Sequence, residues 1–192
     1  MTAILKVDTI QDTSGNNIIN ESSDTITIGA SGDTTNIIGT LQNNGAAVGG
    51  TNTPAFAATQ ANTGFTAGGD SKIAYATEIF DTDNCYDNST NYRFTPTTAG
   101  KYFVYANIAF NADTAYARHQ IKIYKNGSNI ARSQLRLTTS YFENADTNAV
   151  INYAVDMNGT SDYLEIYGFL DQNGQTENAS GYGVFGAYRI IE

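Results

Sequence analysis

Tryptophan is absent from this 192-residue chain, histidine and cysteine occur once each, and proline occurs twice. Each shortage closes off a class of chemistry. Cys85 has no second thiol to pair with, so there is no intramolecular disulfide, and it reads as a small buried or loop thiol. His119 sits on the apolar face of an alternating strand, which favours a core or interface position over a general base. No Gly-x-Ser-x-Gly, Walker or dinucleotide-binding glycine pattern occurs. No catalytic residue, cofactor or enzymatic activity is therefore expected.

Positive charge is scarce as well: 10 Lys and Arg stand against 19 Asp and Glu, with no basic run, for a net charge of −9. Nucleic acid demands cations clustered against its phosphates, so that class of partner is disfavoured. The acidity reads instead as keeping an associating β-protein soluble. No segment nears the roughly 20 apolar residues of a membrane-crossing helix. Met1–Ile10 has no apolar core of signal-peptide length, so neither membrane insertion nor secretion is expected. The Asn-x-Ser/Thr triplets at Asn88 and Asn158 then carry little weight as glycosylation sites.

What the chain does have is Gly, Thr, Asn and Tyr in abundance, with no sustained 3.6-residue apolar period; this is the composition of strands and turns. Expected strands run over residues 55–59, 72–80, 92–95, 101–110, 117–125, 129–137, 148–155, 163–170 and 183–191, with Asn126-Gly127 as a tight hairpin turn. They are of two kinds. Residues 101–110, 148–155 and 183–191 are apolar on both faces; in the first, Tyr102, Val104, Ala106, Ile108 and Phe110 oppose Phe103, Tyr105 and Ala109. Residues 117–125 and 129–137 alternate cleanly, with His119, Ile121 and Ile123 opposing Arg118, Gln120 and Lys122. Side chains change face at every residue, so one sheet is expected to face solvent and the other to be covered twice. With no helix to supply the second cover, another copy of the chain is the expected cover. Phe103, Tyr105, Tyr153, Phe185 and Tyr188 are the interface candidates.

Composition shifts near Thr53. Met1–Gly50 contains no aromatic residue, and its isoleucines come in short pulses separated by turn signals such as Ser14-Gly15 and Ser31-Gly32, in a loose, non-strict repeat. Such a segment cannot close a core alone. It reads either as a disordered leader or, the favoured reading, as a shaft in which three chains bring their isoleucines to a common axis. The expected organisation is a shaft over 1–50, a neck over 51–53 within a Gly/Ala/Asn/Thr-rich stretch, and a head over 54–192.

The head resembles the globular domain shared by the complement q-subcomponent family and tumour necrosis factor. The residues that carry this are Pro54-Ala55-Phe56-Ala57-Ala58, Phe80-Asp81, Tyr86-Asp87, Phe94, Gly100-Lys101-Tyr102-Phe103-Val104, Lys125-Asn126-Gly127, Asp162-Tyr163-Leu164-Glu165 and Gly183-Val184-Phe185-Gly186-Ala187. Their order and spacing, rather than any one piece, make the likeness, which covers about three quarters of the chain. The resemblance implies an all-β, ten-strand jelly-roll sandwich that associates as a homotrimer. Two departures stand out: neither the collagen stalk nor the membrane anchor of the animal members is present. Met1–Gly50 is instead similar in style to the leaders of bacteriophage tail-fibre and virion-surface proteins.

Two loop regions qualify as sites. Asp81–Asp87 offers three carboxylates and an amide, but lacks the glycine and distal glutamate of a calcium loop, so a solvated turn is favoured and no metal ligand is assigned. Antiparallel alternation should place the longer connections, Asn111–Tyr116, Thr138–Thr147 and Asp171–Gly181, together at the distal end. Tyr116, Tyr141, Phe142, Glu143, Asn144, Gln172, Asn173 and Gln175 are the receptor-binding candidates there, with Tyr141 and Phe142 tucked under their own loop as the plain alternative. The leading functional reading is a bacteriophage virion fibre or spike, located on the virion surface. Its shaft would meet other virion proteins and its head a host receptor or polysaccharide. A decorating structural trimer without a receptor, a soluble tumour-necrosis-factor-like ligand and a polysaccharide-degrading tailspike are the alternatives. The last is disfavoured by the absence of a carboxylate pair on adjoining strands.

Overall fold

The structure is a computed structural model. It describes residues 9–11, 13–15, 17–22, 25–28, 31–39, 41–43, 46–47, 52–112, 117–136, 146–176 and 182–191. The chain divides into two compact units, Met1–Gly50 and Thr51–Glu192.

In the first unit, β1 (Thr9–Gln11), β2 (Asn17–Ser22) and β3 (Thr25–Ile28) form an antiparallel meander, and β4 (Gln42–Asn43) pairs β5 (Ala46–Ala47). Registration sets Ile10 opposite Ile19 and Ile19 opposite Ile28, so the three share one face of the meander. All three are exposed.

The second unit continues with β6 (Ala55–Thr59), β7 (Gly64–Phe65), β8 (Asp70–Lys72), β9 (Thr77–Asp81), β10 (Tyr86–Asp87) and β11 (Arg93–Phe94). The long strands follow: β12 (Ala99–Ala112), β13 (Arg118–Lys125), β14 (Ser128–Arg136), β15 (Asp146–Asn158), β16 (Leu164–Leu170), the short β17 (Gly174–Thr176) and β18 (Val184–Ile191). They make two antiparallel sheets. One runs β7-β17-β12-β18-β6-β9, with β15 also paired to β12; the other runs β10-β11-β16-β13-β14, with β8 also paired to β16. The architecture is the jelly-roll sandwich expected of the head, although five of its strands, β7, β8, β10, β11 and β17, are only two or three residues long, too short to show an alternation in the sequence.

The core lies between the sheets. β12 supplies Tyr102, Val104, Ala106, Ile108 and Phe110 to it, and β13 and β16 answer with Ile121, Ile123, Leu164, Ile166 and Leu170, all buried. Each large apolar side chain taken fully out of water contributes roughly 1.5–3 kcal/mol, so these strands supply a large part of the driving force. An aromatic cluster sits beside them: Phe56 stacks on Tyr86 at 4.3 Å and on Phe94 at 4.6 Å, and meets Phe185 edge-on at 4.8 Å.

Three expectations are corrected. Residues 72–80 do not form one strand: β8 pairs β16 in one sheet, and β9 pairs β6 in the other. Between them the chain crosses the core, burying Ile73 and Tyr75 completely. The outer face of β13 does not meet solvent as a free alternating face. Gln120 and Lys122 are 4% and 8% exposed: the Gln120 amide N–H donates to Gln134 Oε1, and the Lys122 ammonium pairs with Asp70 and lies 5.5 Å from the Phe169 ring centre. Finally, Phe185 is fully buried between the sheets and does not belong to an intersubunit surface. Alternation along β18 puts Gly186 and Tyr188 on the face opposite to it.

Candidate binding surfaces

The outer face of the first sheet is built by register. Ala154, Phe103, Tyr188 and Ala55 form one row across β15, β12, β18 and β6. Asn152, Tyr105, Gly186, Ala57 and Phe80 form the next, which extends to β9. Phe103 and Tyr188 pack with ring centroids 5.6 Å apart. Tyr105 lies over Gly186, where an added Cβ would come within 2.3 Å of its hydroxyl; the glycine is needed for that close approach. Burial pushes the Tyr105 phenol above its ordinary value. Phe80, Val150, Tyr188 and Ile190 remain 45%, 61%, 36% and 45% exposed. This is a broad apolar sheet face with no helix laid over it among the described residues.

Of the interface candidates, Phe103, Tyr105 and Tyr188 share this face. Tyr153 is registered with the buried Val104, so it stands on the core side of β15, where it is 42% exposed. Phe80 and Val150 were missed: Phe80 takes its place in this row through the irregularity of pairing between Ala57 and Ala58, and Val150 shares its strand with the more prominent Tyr153.

The flanks of the three long connections converge at one end. Asn111 opposes both Asp146 and Gln175, and Arg118 opposes Arg136 while His119 opposes Leu170. Tyr116, Tyr141, Phe142, Glu143 and Asn144 lie outside the described residues. Gln172, Asn173 and Gln175 are exposed. Gln175 belongs to β17 rather than to a loop. Its Oε1 accepts from Asn62 Nδ2 at 3.0 Å, and Asn173 Oδ1 accepts from the Ala67 N–H at 2.9 Å.

The acidic loop uses its carboxylates on its own turns. Asp81 accepts from the Asp83 and Tyr86 N–H groups at 3.3 and 2.7 Å, and Asp83 accepts from the Thr82 hydroxyl. Asp87 accepts from the N–H groups of Ser89, Thr90 and Asn91 at 3.1, 2.9 and 3.1 Å and from Asn91 Nδ2 at 2.7 Å. Those bonds, led by Thr90, hold its carboxyl well below the usual range. Beside the loop a shallow cleft of about 330 Å³ is lined by Asn84, Cys85, Tyr86, Asp87, Arg93 and Thr95. His119 is buried at 3% exposure, stacked on Phe110 at 5.3 Å with Nδ1 3.4 Å from the Thr147 hydroxyl. Burial lowers its pKa, against an opposing pull from Asp171. This is a core residue.

No family model and no curated protein matches the sequence. Solved structures do match in shape. A TNF protein, Eiger, from S. frugiperda superposes with a TM-score of 0.54 at 8% identity, covering 72% of this chain and 94% of that one. Murine APRIL superposes with a TM-score of 0.52 at 9% identity, covering 71% and 98%. The globular domain of zebrafish complement 1qA gives 0.48 at 14% identity, covering 72% and 98%. The chain therefore contains the tumour-necrosis-factor-type jelly-roll fold.

Proposed function

We propose that this chain is a non-enzymatic virion protein of a bacteriophage: a homotrimeric fibre or spike whose N-terminal segment attaches to the particle and whose jelly-roll head meets the host surface. The observation that carries the trimer is the apolar outer face of the first sheet, where Phe103, Tyr105 and Tyr188 gather with Phe80 and Val150 still partly exposed. Contiguous apolar patches of this kind are rare on monomers and mark association. A point group that closes on itself is the ordinary outcome for identical subunits. The exposed row of Ile10, Ile19 and Ile28 supports the shaft, since a face with no core beneath it is buried when three copies meet. Host contact is assigned to the distal connections, Asn111–Tyr116, Thr138–Thr147 and Asp171–Gly181, in three copies whose linkage multiplies weak binding. A decorating trimer with no receptor differs only at that last step, whereas a soluble ligand would also lack attachment to a particle.

The test is sedimentation of the full chain at micromolar concentration, alongside particles complemented with a variant lacking residues 1–50. A trimer, and a truncated head that folds but is absent from particles, are the expected results. A folded monomer would overturn the assembly. Wild-type incorporation of the truncated head would move attachment elsewhere.

A further inference from the structure

The outer face of the second sheet collects charge that is scattered in the sequence. Cross-strand register sets Arg118 opposite Arg136, Gln120 opposite Gln134, and Lys122 opposite Arg132. These residues alternate with the core-facing His119, Ile121 and Ile123, so all six point to the same outer side. Like charges directly opposite one another destabilise a sheet. Here two such rungs flank a neutral amide rung, on a chain with a net charge of −9. A face that carries four of the chain's 10 cationic groups against this cost needs a reason.

Neutralisation within the fold is incomplete. Lys122 Nζ pairs with Asp70 at 2.5 Å, but Arg118, Arg132 and Arg136 enter no ion pair among the described residues. The Arg118 guanidinium lies over the Phe169 ring at 4.4 Å, and its buried Nε has no hydrogen-bond partner; nor has Oε1 of the neighbouring Gln120. The Gln120 amide donates to Gln134 Oε1 at 2.8 Å, which holds the middle rung flat between the charged ones.

We infer that the accessible part of this face, Arg132, Gln134 and Arg136 with the half-buried Arg118 beside them, binds an acidic polysaccharide. The rungs span about 14 Å at ~3.4 Å per residue, too long for one small anion and suited to an extended oligosaccharide. Guanidinium groups match carboxylate and sulfate oxygens with paired donors, and the exposed Gln134 between Arg132 and Arg136 offers its amide N–H groups to sugar hydroxyls. Nucleic acid fits less well. Phe169 is capped by Arg118 and Lys122 and offers no open ring on which a base could stack. The inference needs only the folded head, and it concerns a different surface from both the apolar face and the distal loops.

The test measures binding of the full chain to immobilised heparin (sulfate), polygalacturonate (carboxylate) and dextran (neutral), with duplex DNA as competitor. Expected is retention on one or both acidic glycans and not on dextran, with release as salt rises. Arg132→Gln/Arg136→Gln should weaken that binding roughly tenfold or more. Arg136→Gln alone should exceed the effect of Lys101→Gln, which removes the same charge from another face. Sedimentation and melting of these variants should match wild type. No retention at low salt, equal retention on dextran, equal effects of Arg136→Gln and Lys101→Gln, or preferential displacement by DNA would each overturn the proposal. So would dissociation of the assembly in Arg132→Gln/Arg136→Gln, which would assign the cations to subunit contact.

Discussion

His119 illustrates how one buried side chain links packing to solution behaviour. It lies in the core against Phe110, and burial favours its neutral form. The unfolded chain, whose imidazole titrates near the ordinary value of about 6.5, therefore takes up the proton first as pH falls. The stabilisation is fully present above that value and is lost as pH drops through the lowered folded value. The Asp87 and Asp162 carboxyls, both held below the usual carboxylate range by hydrogen bonds, act in a separate and more acidic window. His119→Gln keeps a polar group near Thr147 but cannot titrate. Its melting temperature should be flatter than wild type as pH falls below about 6.5, with the two curves falling in parallel once the folded imidazole is protonated as well. A parallel fall throughout would assign the whole acid sensitivity to carboxylates. The inward position of His119 was legible in the sequence because both neighbours in its alternation, Ile121 and Ile123, are apolar. Phe185 was misplaced among the interface residues because its size drew it there, although its own alternation with Gly186 and Tyr188 puts it inward.

At the scale of elements, the hairpin between β13 and β14 does more than turn the chain. Asn126 and Gly127 both adopt positive φ, at 53° and 77°. The Asn126 side chain then accepts from the Tyr163 N–H at 2.9 Å and donates to Asp162 Oδ1 at 2.7 Å. Asp162 in turn pairs with Lys125 at 2.8 Å and accepts from the Asn158 N–H at 2.9 Å. One asparagine thus satisfies the turn and stitches it to the connection before β16. Asn126→Gly should retain the turn and lose only the stitch, whereas Asn126→Ala also strains a left-handed position. The alanine variant should lose more stability in urea, by roughly 1–3 kcal/mol in total. Equal losses would mean that the backbone conformation carries none of the cost. This turn was readable because Asn-Gly has a local mechanism. The break between β8 and β9 was not, because Ile73 and Tyr75 keep pointing inward as the chain changes sheets. An uninterrupted alternation conceals the exchange of hydrogen-bonding partners. The covered outer face of β13 escaped for another reason: Gln120 and Lys122 read as solvated polar residues, while their polar ends turn to Gln134 on β14 and Asp70 on β8.

At the scale of the whole molecule, two sheets of one sandwich present opposite surfaces, one apolar and one cationic, on an acidic chain. The doubly apolar strands made the first legible, whereas the second depends on cross-strand pairs that no run of sequence displays. The apolar face also separates two substitutions that look alike in the sequence. Phe185 is fully buried against Phe56, Tyr75 and Tyr86, so Phe185→Asp places a carboxylate where neither water nor a cation reaches it, and the head should fail to fold. Tyr105 and Tyr188 stand on the outer face, where a carboxylate is tolerated in a monomer but costs roughly 3–5 kcal/mol if buried without a partner in an interface. Such a loss is repeated in every copy of a symmetric assembly. Tyr188→Asp, which leaves the contact between Tyr105 and Gly186 in place, should therefore give a folded head by circular dichroism that sediments as a monomer. Tyr105→Asp should do the same with a lower melting temperature, since Gly186 loses its cover. A Tyr188→Asp protein that remains trimeric would show that this face is not where the copies meet, and would leave the exposed Phe80, Val150 and Ile190 needing another partner.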